Sequence, residues 1–122
     1  MASPFLTTDF QIRWSTLSPE AIAADIELAL QHSQERIDAV ADQDRGRISF
    51  DSVVMGLEES TLELDHAWGL VEHLDAVCNS PALREAHNAM LPKVSAFRAK
   101  IPLNAHLWDL IETYSKTDEA RA

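Results

Sequence analysis

Apolar residues recur every three or four positions along most of the chain, which is the spacing of one face of an α-helix. Four such stripes predict helices over about 19–43, 50–78, 80–101 and 105–116. Ser18-Pro19 and Ser80-Pro81 are typical helix starts, because the serine hydroxyl accepts a first-turn N–H and the proline ring fits the first turn. Ser49 is expected to open the second helix, and Gly46 to end the first in the left-handed conformation.

Three residues inside the predicted helices are poor helix formers. Gly56 and Gly69 each cost on the order of 1 kcal/mol relative to alanine, so we expect a neighbouring helix to approach closely at both. Pro92 removes a main-chain hydrogen bond within the third helix and predicts a kink there.

The first 17 residues show no sustained periodicity, yet they hold many apolar side chains, including Trp14. We interpret 1–17 as an extended N-terminal arm laid across a helical domain over 18–122, with Trp14 able to fill a groove between helices. A loose terminus is the alternative. The connections between helices are short, so the predicted fold is all-α: an antiparallel bundle or hairpin array of about four helices with an N-terminal arm.

Composition narrows the range of partners. The chain has 122 residues, 10 Lys and Arg against 20 Asp and Glu, and a net charge of −10. This charge repels phosphate, so no nucleic acid or anionic membrane partner is expected. No apolar run is long enough to span a bilayer, and the start lacks a secretory signal. The single cysteine, Cys78, fits a reducing compartment, and we predict a cytoplasmic protein.

Histidines and carboxylates raise the question of a metal site. Glu63-x-x-His66 has the spacing of half a di-iron site, but no second copy of the pattern occurs. His73 lies two turns beyond His66 on one side of the second helix. A metal-binding bundle using Glu63, His66 and His73 therefore remains an alternative, although histidines at the border of a buried face more often bond to neighbouring groups.

No catalytic motif is present. None of the five histidines, His32, His66, His73, His87 and His106, is followed by glutamate, so the zinc-peptidase pattern His-Glu-x-x-His is missing. Cys78 and His73 would lie about 140° apart around a helix, and Cys78 is better explained as a small buried side chain. Trp68 and Trp108 fall in apolar stripes and are predicted core anchors. We assign no catalytic, cofactor-binding or metal-binding residue.

One long segment resembles a known family. Residues 73–88, HLDAVCNSPALREAHN, continuing through Met90-Leu91-Pro92, are similar to the N-terminal region of the oligopeptidase A and thimet oligopeptidase family of zinc metallopeptidases. Further similarity, covering most of 10–114, occurs around 12–26, 49–58 and 62–70. Ser49-Phe50 stands where many members have Thr-Trp, a difference that concerns packing.

The resemblance implies a large helical hydrolase that cleaves short peptides in a channel between two halves. Its zinc is held by His-Glu-x-x-His and a downstream glutamate, none of which falls in this region. The chain would be a non-catalytic N-terminal domain in the channel wall, inactive alone, with the remainder of the parent peptidase as its partner and short peptides as the parent's substrates. A freestanding helical interaction module without peptidase activity is the alternative.

Residues 116–122 favour helix and contain no stop signal, so we expect a fragment of a longer protein. Such a fragment should expose an apolar patch larger than the few hundred Å² usual for a monomer. We expect the missing remainder to cover this patch in the parent, and a second copy to cover it in the fragment, as a homodimer.

Overall fold

A computed structural model describes residues 3–6, 17–77 and 80–121. All regular structure in these ranges is helical, so the predicted all-α class is confirmed. The elements are a 3-10 turn at Pro4–Leu6, α1 at Pro19–Ala41, a π-helical segment at Asp51–Met55, α2 at Gly56–Ser60, α3 at Leu62–Val77, α4 at Pro81–Lys100, α5 at Ala105–Ser115 and α6 at Asp118–Arg121.

Helix α1 lies at the centre of the bundle. It packs against α2, α3, α4, α5 and the 3-10 turn, and its buried stripe meets residues from all of them. Burial of apolar surface is the main favourable term in folding, so this shared core holds the bundle together. The largest fully buried apolar side chains are Phe5, Ile22, Ile26, Ile37, Leu64, Trp68, Val71, Val94 and Leu110.

The ends of α1 differ from the prediction. The Ser18 hydroxyl makes no capping hydrogen bond, and the Ser18 carbonyl instead accepts the Ala21 N–H at 3.1 Å. Helix α1 ends at Ala41, where Arg45 Nη1 donates to the carbonyls of Ala41 and Gln43, at 2.8 Å each. The prediction that Gly46 adopts the left-handed conformation was wrong, since no described glycine has a positive φ. The guanidinium thus satisfies the carbonyl of Ala41, which has no partner within the helix.

The predicted second helix is interrupted. It begins as expected at Ser49, whose hydroxyl accepts the Ser52 N–H at 3.1 Å while Ser52 Oγ accepts the Ser49 N–H at 2.9 Å. The chain then forms the π-helical segment and α2, and breaks at Thr61, which has φ −110° and ψ 2°. Just before the break, the Ser60 hydroxyl donates to the Leu57 carbonyl, a local bond that competes with regular helix.

The two glycines of this region have different surroundings. A β-carbon at Gly56 would lie 3.4 Å from Val40 Cγ2, so the predicted close approach of α1 is confirmed there. A β-carbon at Gly69 would meet no atom within 4 Å, and the prediction was wrong for Gly69. Gly69 lies on the exposed side of α3.

The later helices begin at side-chain caps. Ser80 Oγ accepts the Leu83 N–H at 3.2 Å, as predicted, and Asn104 Oδ1 accepts the Leu107 N–H at 3.1 Å. Helix α4 continues through Pro92, and the kink there stays a prediction. The predicted helical propensity near the end is confirmed in part, because α5 stops at Ser115 and α6 begins after a cap at Thr117.

One residue of the N-terminal region belongs to the core. Phe5, in the 3-10 turn, is completely buried, and its N–H donates to Asp25 Oδ2 at 3.0 Å. The remainder of the proposed arm, including Trp14, lies outside the described residues, so the arm over 1–17 and the domain over 18–122 stay predictions. Over the described ranges, no helix is both long enough and apolar enough to cross a membrane.

Candidate functional site

An apolar groove lies where α2, α5 and the end of α4 meet. It has a volume of about 190 Å³, and its lining residues are Leu57, Ile101, Pro102, Leu107, Trp108 and Ile111. None of these side chains carries a charge. We call this feature the apolar groove.

Trp108 forms the most exposed part of the groove lining. Its side chain is 53% exposed, so the prediction of a core anchor was wrong for Trp108, whereas Trp68, 2% exposed, confirms it. Leu107 and Leu110 occupy the buried face of α5 and leave Trp108 at its edge. The indole N–H of Trp108 donates to the Pro102 carbonyl, which fixes the ring against the turn that enters α5.

Exposed apolar side chains continue beyond the groove. Phe50 and Val54 precede Leu57 by seven and three positions in the same helical run, and they are 47% and 38% exposed. Leu103, next to Pro102, is 79% exposed. An apolar surface of this kind is consistent with the predicted exposed face, while its total area stays a prediction.

Helix α6 makes hydrogen bonds to two other elements near the groove. Glu119 Oε1 accepts hydrogen bonds from the Phe50 N–H and, at 3.2 Å, from the Tyr114 hydroxyl. Partial burial of the phenol, followed by the hydrogen bond to Glu119 and the negative charge of Glu119, raises the pKa of Tyr114 above 10.0. The end of the described chain therefore contacts both α5 and the start of the π-helical segment.

Charged residues are unevenly distributed along the helices that line the groove. No Lys or Arg occurs anywhere in 48–83, while Asp51, Glu58 and Glu59 all lie in the π-helical segment and α2. On α5 the acidic residues have cationic partners: Asp109 Oδ2 lies 3.1 Å from Arg45 Nη2, and Glu112 Oε1 lies 3.2 Å from Lys116 Nζ. Glu59 lines a separate pocket together with Arg36, so it does not face the apolar groove.

The candidate metal ligands have other surroundings. Glu63 Oε1 lies 2.7 Å from His32 Nδ1 and 3.8 Å from Arg36 Nη1, so this carboxylate joins α3 to α1. His66 and His73 each have an interaction partner. Within 3–6, 17–77 and 80–121, no group of three or more His, Cys, Asp or Glu could hold a metal ion. The alternative of a metal-binding bundle has no site there, and Cys78 lies outside these ranges.

Two other contacts were not predicted from the sequence. His87 of α4 stacks on Trp68 of α3, with ring centroids 5.0 Å apart and an interplanar angle of 16°. Asp25, which is 4% exposed and lies on the buried face of α1, accepts a hydrogen bond from the Phe5 N–H. The periodicity places His87 on the predicted buried stripe of its helix, but it does not reveal the contact with Trp68, and it gives no sign that Asp25 is buried.

Comparison with known proteins shows the family. Residues 21–120 match the model of the neurolysin/thimet oligopeptidase N-terminal domain. The chain belongs to this family. The predicted resemblance to oligopeptidase A and thimet oligopeptidase is confirmed, and the match includes the apolar groove and all of α2 to α5.

Curated relatives agree with this assignment. The chain is 31% identical to oligopeptidase A of Haemophilus influenzae over 97 residues, and 30% and 28% identical to those of Escherichia coli and Salmonella typhimurium. Each match covers 80% of this chain but only 14% of the relative. No solved structure matches the chain. The chain is therefore related to one short part of a much longer oligopeptidase.

Proposed function

We propose that this chain is the non-catalytic N-terminal domain of a zinc-dependent oligopeptidase that acts on short peptides. The observation that supports this most is the match of residues 21–120 to the neurolysin/thimet oligopeptidase N-terminal domain. In this proposal the helices form part of the wall of the substrate channel and help to exclude folded proteins. We place the parent enzyme in the cytoplasm, in keeping with the lone cysteine.

The zinc of such an enzyme does not fit the described part of this chain. Catalytic zinc sites use three protein ligands and keep a fourth position for water or substrate. The described residues provide no such group, and Glu63 is engaged with His32 and Arg36. We therefore assign the zinc to the remainder of the parent and route no hydrolytic step through the residues of this chain.

The structure provides features that suit a supporting role. Helix α1 is packed on several sides, and ion pairs such as Lys93–Glu27 and Arg98–Asp65 join α4 to α1 and α3. The apolar groove remains open on the surface. A firmly packed unit whose described residues include an open apolar groove is suited to docking against a larger body.

A peptidase assay tests the catalytic part of the proposal. A short peptide carrying a fluorophore and a quencher should stay intact with this chain, with or without added zinc. A longer polypeptide from the same locus, extending into a His-Glu-x-x-His sequence, should cleave it. Hydrolysis by this chain that persists through stringent purification and disappears with a chelator would contradict the proposal.

A second assay tests the wall. In the longer polypeptide, Trp68→Ala should loosen the packing of α3 against its neighbours, because Trp68 is almost fully buried. We expect the variant to admit large substrates more readily. The rate of cleavage of a long unfolded polypeptide, divided by the rate of cleavage of a short peptide, should therefore rise. Leu91→Ala, at an exposed position of α4, is the control. If the variant is measurably destabilised but the ratio is unchanged, these helices do not form part of the channel wall.

The freestanding interaction module remains the alternative function. The apolar groove supports it as well, because a binding module needs an open surface of this kind. The native reading frame distinguishes the two functions. A frame that continues into His-Glu-x-x-His supports the peptidase domain, and a frame without it supports the module.

A further inference from the structure

We infer that a cleft between α1 and α2 binds a small dipolar ligand, which is a molecule that carries both a free ammonium group and a free carboxylate group. Amino acids and short peptides have this chemistry. The carboxylate of the ligand would lie beside Arg36 on α1, and its ammonium group beside Glu59 on α2. Binding there does not depend on the proposed function, because it uses only residues of this chain.

The cleft has the size of a small-molecule site. Its volume is about 390 Å³, within the roughly 300–1,000 Å³ typical of such sites. It shares no lining residue with the apolar groove. We call it the charged cleft, and its lining residues are Arg36, Ala39, Val40, Gly56, Glu59 and Ser60. The space between the two helices is therefore large enough for a small organic ligand.

Small residues leave the space between α1 and α2 open. Gly56 has no side chain, and a β-carbon there would lie 3.4 Å from Val40 Cγ2 across the helix contact. Ala39, the residue before Val40, contributes only a methyl group to the charged cleft and is exposed. Both small residues line the cleft, so longer side chains at either position would reduce its volume.

Both charged side chains of the cleft have unused bonding capacity. Arg36 Nη1 lies 3.8 Å from Glu63 Oε1, too far for a hydrogen bond, and Arg36 donates no side-chain hydrogen bond to any described residue. Glu63 is bonded more closely to His32, at 2.7 Å. Within the described ranges, the carboxylate of Glu59 has neither an ion pair nor a hydrogen bond. Arg36 and Glu59 can therefore both bind a ligand that enters between them.

Two opposite charges in one cleft favour a ligand that has both. A simple anion would be attracted by Arg36 but repelled by Glu59, and a simple cation would be attracted by Glu59 but repelled by Arg36. The net charge of −10 on the chain also repels anions, whereas it exerts little net force on a ligand whose own charges cancel. A dipolar ligand satisfies both side chains and meets neither repulsion.

The test titrates alanine, dialanine and trialanine into the isotopically labelled chain and follows the main-chain amide signals by NMR. We expect saturable shifts concentrated in 36–40 and 56–60, with a dissociation constant in the millimolar range. Blocking either the ammonium or the carboxylate of dialanine should weaken binding by about three- to fivefold, the range of a partly exposed ion pair. Tighter binding of alanine assigns the cleft to free amino acids, and tighter binding of the peptides assigns it to peptide ends.

Two neutralising variants assign each end of the ligand to its side chain. Arg36→Gln should weaken dialanine by about three- to fivefold and remove the difference between dialanine and its C-terminal amide. Glu59→Gln should likewise remove the difference between dialanine and its N-acetyl form. Arg47→Gln and Glu58→Gln make the same charge changes at residues that do not line the cleft, and they should leave all the affinities unchanged.

A variant that fills the charged cleft tests the location. Ala39→Leu adds a long side chain to the lining and should abolish the saturable shifts, whereas Ala23→Leu, at an exposed position near the start of α1, should not. Circular dichroism confirms that each variant is folded. Equal binding of dialanine and its doubly blocked form, or binding that Ala39→Leu leaves intact, would overturn the inference. So would the absence of saturable shifts in 36–40 and 56–60 with all three ligands.

Discussion

The main-chain N–H of Phe5 donates to Asp25 Oδ2 at 3.0 Å, across 20 positions of sequence and in a buried environment. The Phe5 ring is completely enclosed, and Asp25 is 4% exposed. A carboxylate in this position satisfies a donor that would otherwise be buried without a partner. The N-terminal turn is therefore an integral part of the core and is joined to the first turns of α1.

Loss of the Phe5 ring should destabilise the whole domain. We expect Phe5→Ala to lower the free energy of unfolding by about 3–5 kcal/mol, because it leaves a cavity beside α1 and α3. Urea unfolding followed by circular dichroism measures the change, and Leu91→Ala, at an exposed position, serves as the control. A loss no larger than that of the control would mean that the turn does not contribute to the core.

The carboxylate of Asp25 can be tested separately. Asp25→Ala should cost about 1–3 kcal/mol, since it leaves the Phe5 N–H without its acceptor. Asp25→Asn keeps an oxygen that can accept the bond and should cost less. The same urea experiment compares the two variants, and equal losses would show that the hydrogen bond contributes nothing beyond the volume of the side chain.

Ser33 offers a stabilising substitution. Its hydroxyl is fully buried in α1 and has no hydrogen-bond partner in the parts of the chain that the structure describes. Ser33→Ala should raise the free energy of unfolding by about 1 kcal/mol, because it removes an unsatisfied polar group and improves helix propensity. Ser60→Ala is the matched control, since the buried Ser60 hydroxyl donates to the Leu57 carbonyl. Destabilisation by Ser33→Ala would reveal a partner for this hydroxyl.

The two helical glycines should respond differently to alanine. Gly69→Ala should stabilise the protein by about 0.5–1 kcal/mol, because α3 gains helix propensity and the new methyl group meets open space. Gly56→Ala should gain less, since its methyl group would meet Val40 Cγ2 at 3.4 Å, the short limit of ordinary van der Waals contact, and not open space. Thermal unfolding of both variants checks the order, and a larger gain at Gly56 would contradict it.

Tyr114 provides a spectroscopic probe of α6. It is the only tyrosine in the chain, so phenolate absorbance near 295 nm reports on it alone. Its pKa is raised above 10.0 by partial burial, by its hydrogen bond to Glu119 and by the charge of Glu119. The titration midpoint should therefore lie higher in the folded chain than in urea. Glu119→Gln should lower it by removing the charge, and Glu119→Ala should lower it further.

The sign of the linked stability follows from this shift. The unfolded chain loses the phenol proton near 10.0, and the folded chain loses it at a higher pH. The contribution of Tyr114 to stability is therefore fully present below the unfolded pKa and is lost as the pH rises through the folded pKa. Unfolding at alkaline pH should show this loss in the unmodified chain and less of it in Glu119→Ala. Identical pH profiles in the two proteins would show that Glu119 does not affect the pKa of Tyr114.

Local signals predicted much of the fold. Periodicity located α1, α4 and α5, and the Ser80-Pro81 start was confirmed by the bond from Leu83. The family resemblance was carried by a long continuous segment and was confirmed over residues 21–120. These features depend on residues close together in sequence, so a single sequence contains the information they need.

The remaining features depend on contacts between distant residues. The exposure of Trp108 and the open surroundings of Gly69 both follow from how the helices pack. Periodicity shows that Trp108 borders an apolar stripe, but Leu107 and Leu110 take the buried positions of α5. The apolar groove was therefore expected only as an unspecified exposed face.

Arg45 links the last turn of α1 to α5 through one side chain. Its guanidinium binds the carbonyls of Ala41 and Gln43 and also Asp109 on α5, 64 positions away. Detachment of α5 would remove Asp109 from a guanidinium that also binds the carbonyls at the end of α1. Local opening of α5 should therefore also favour fraying of the last turn of α1.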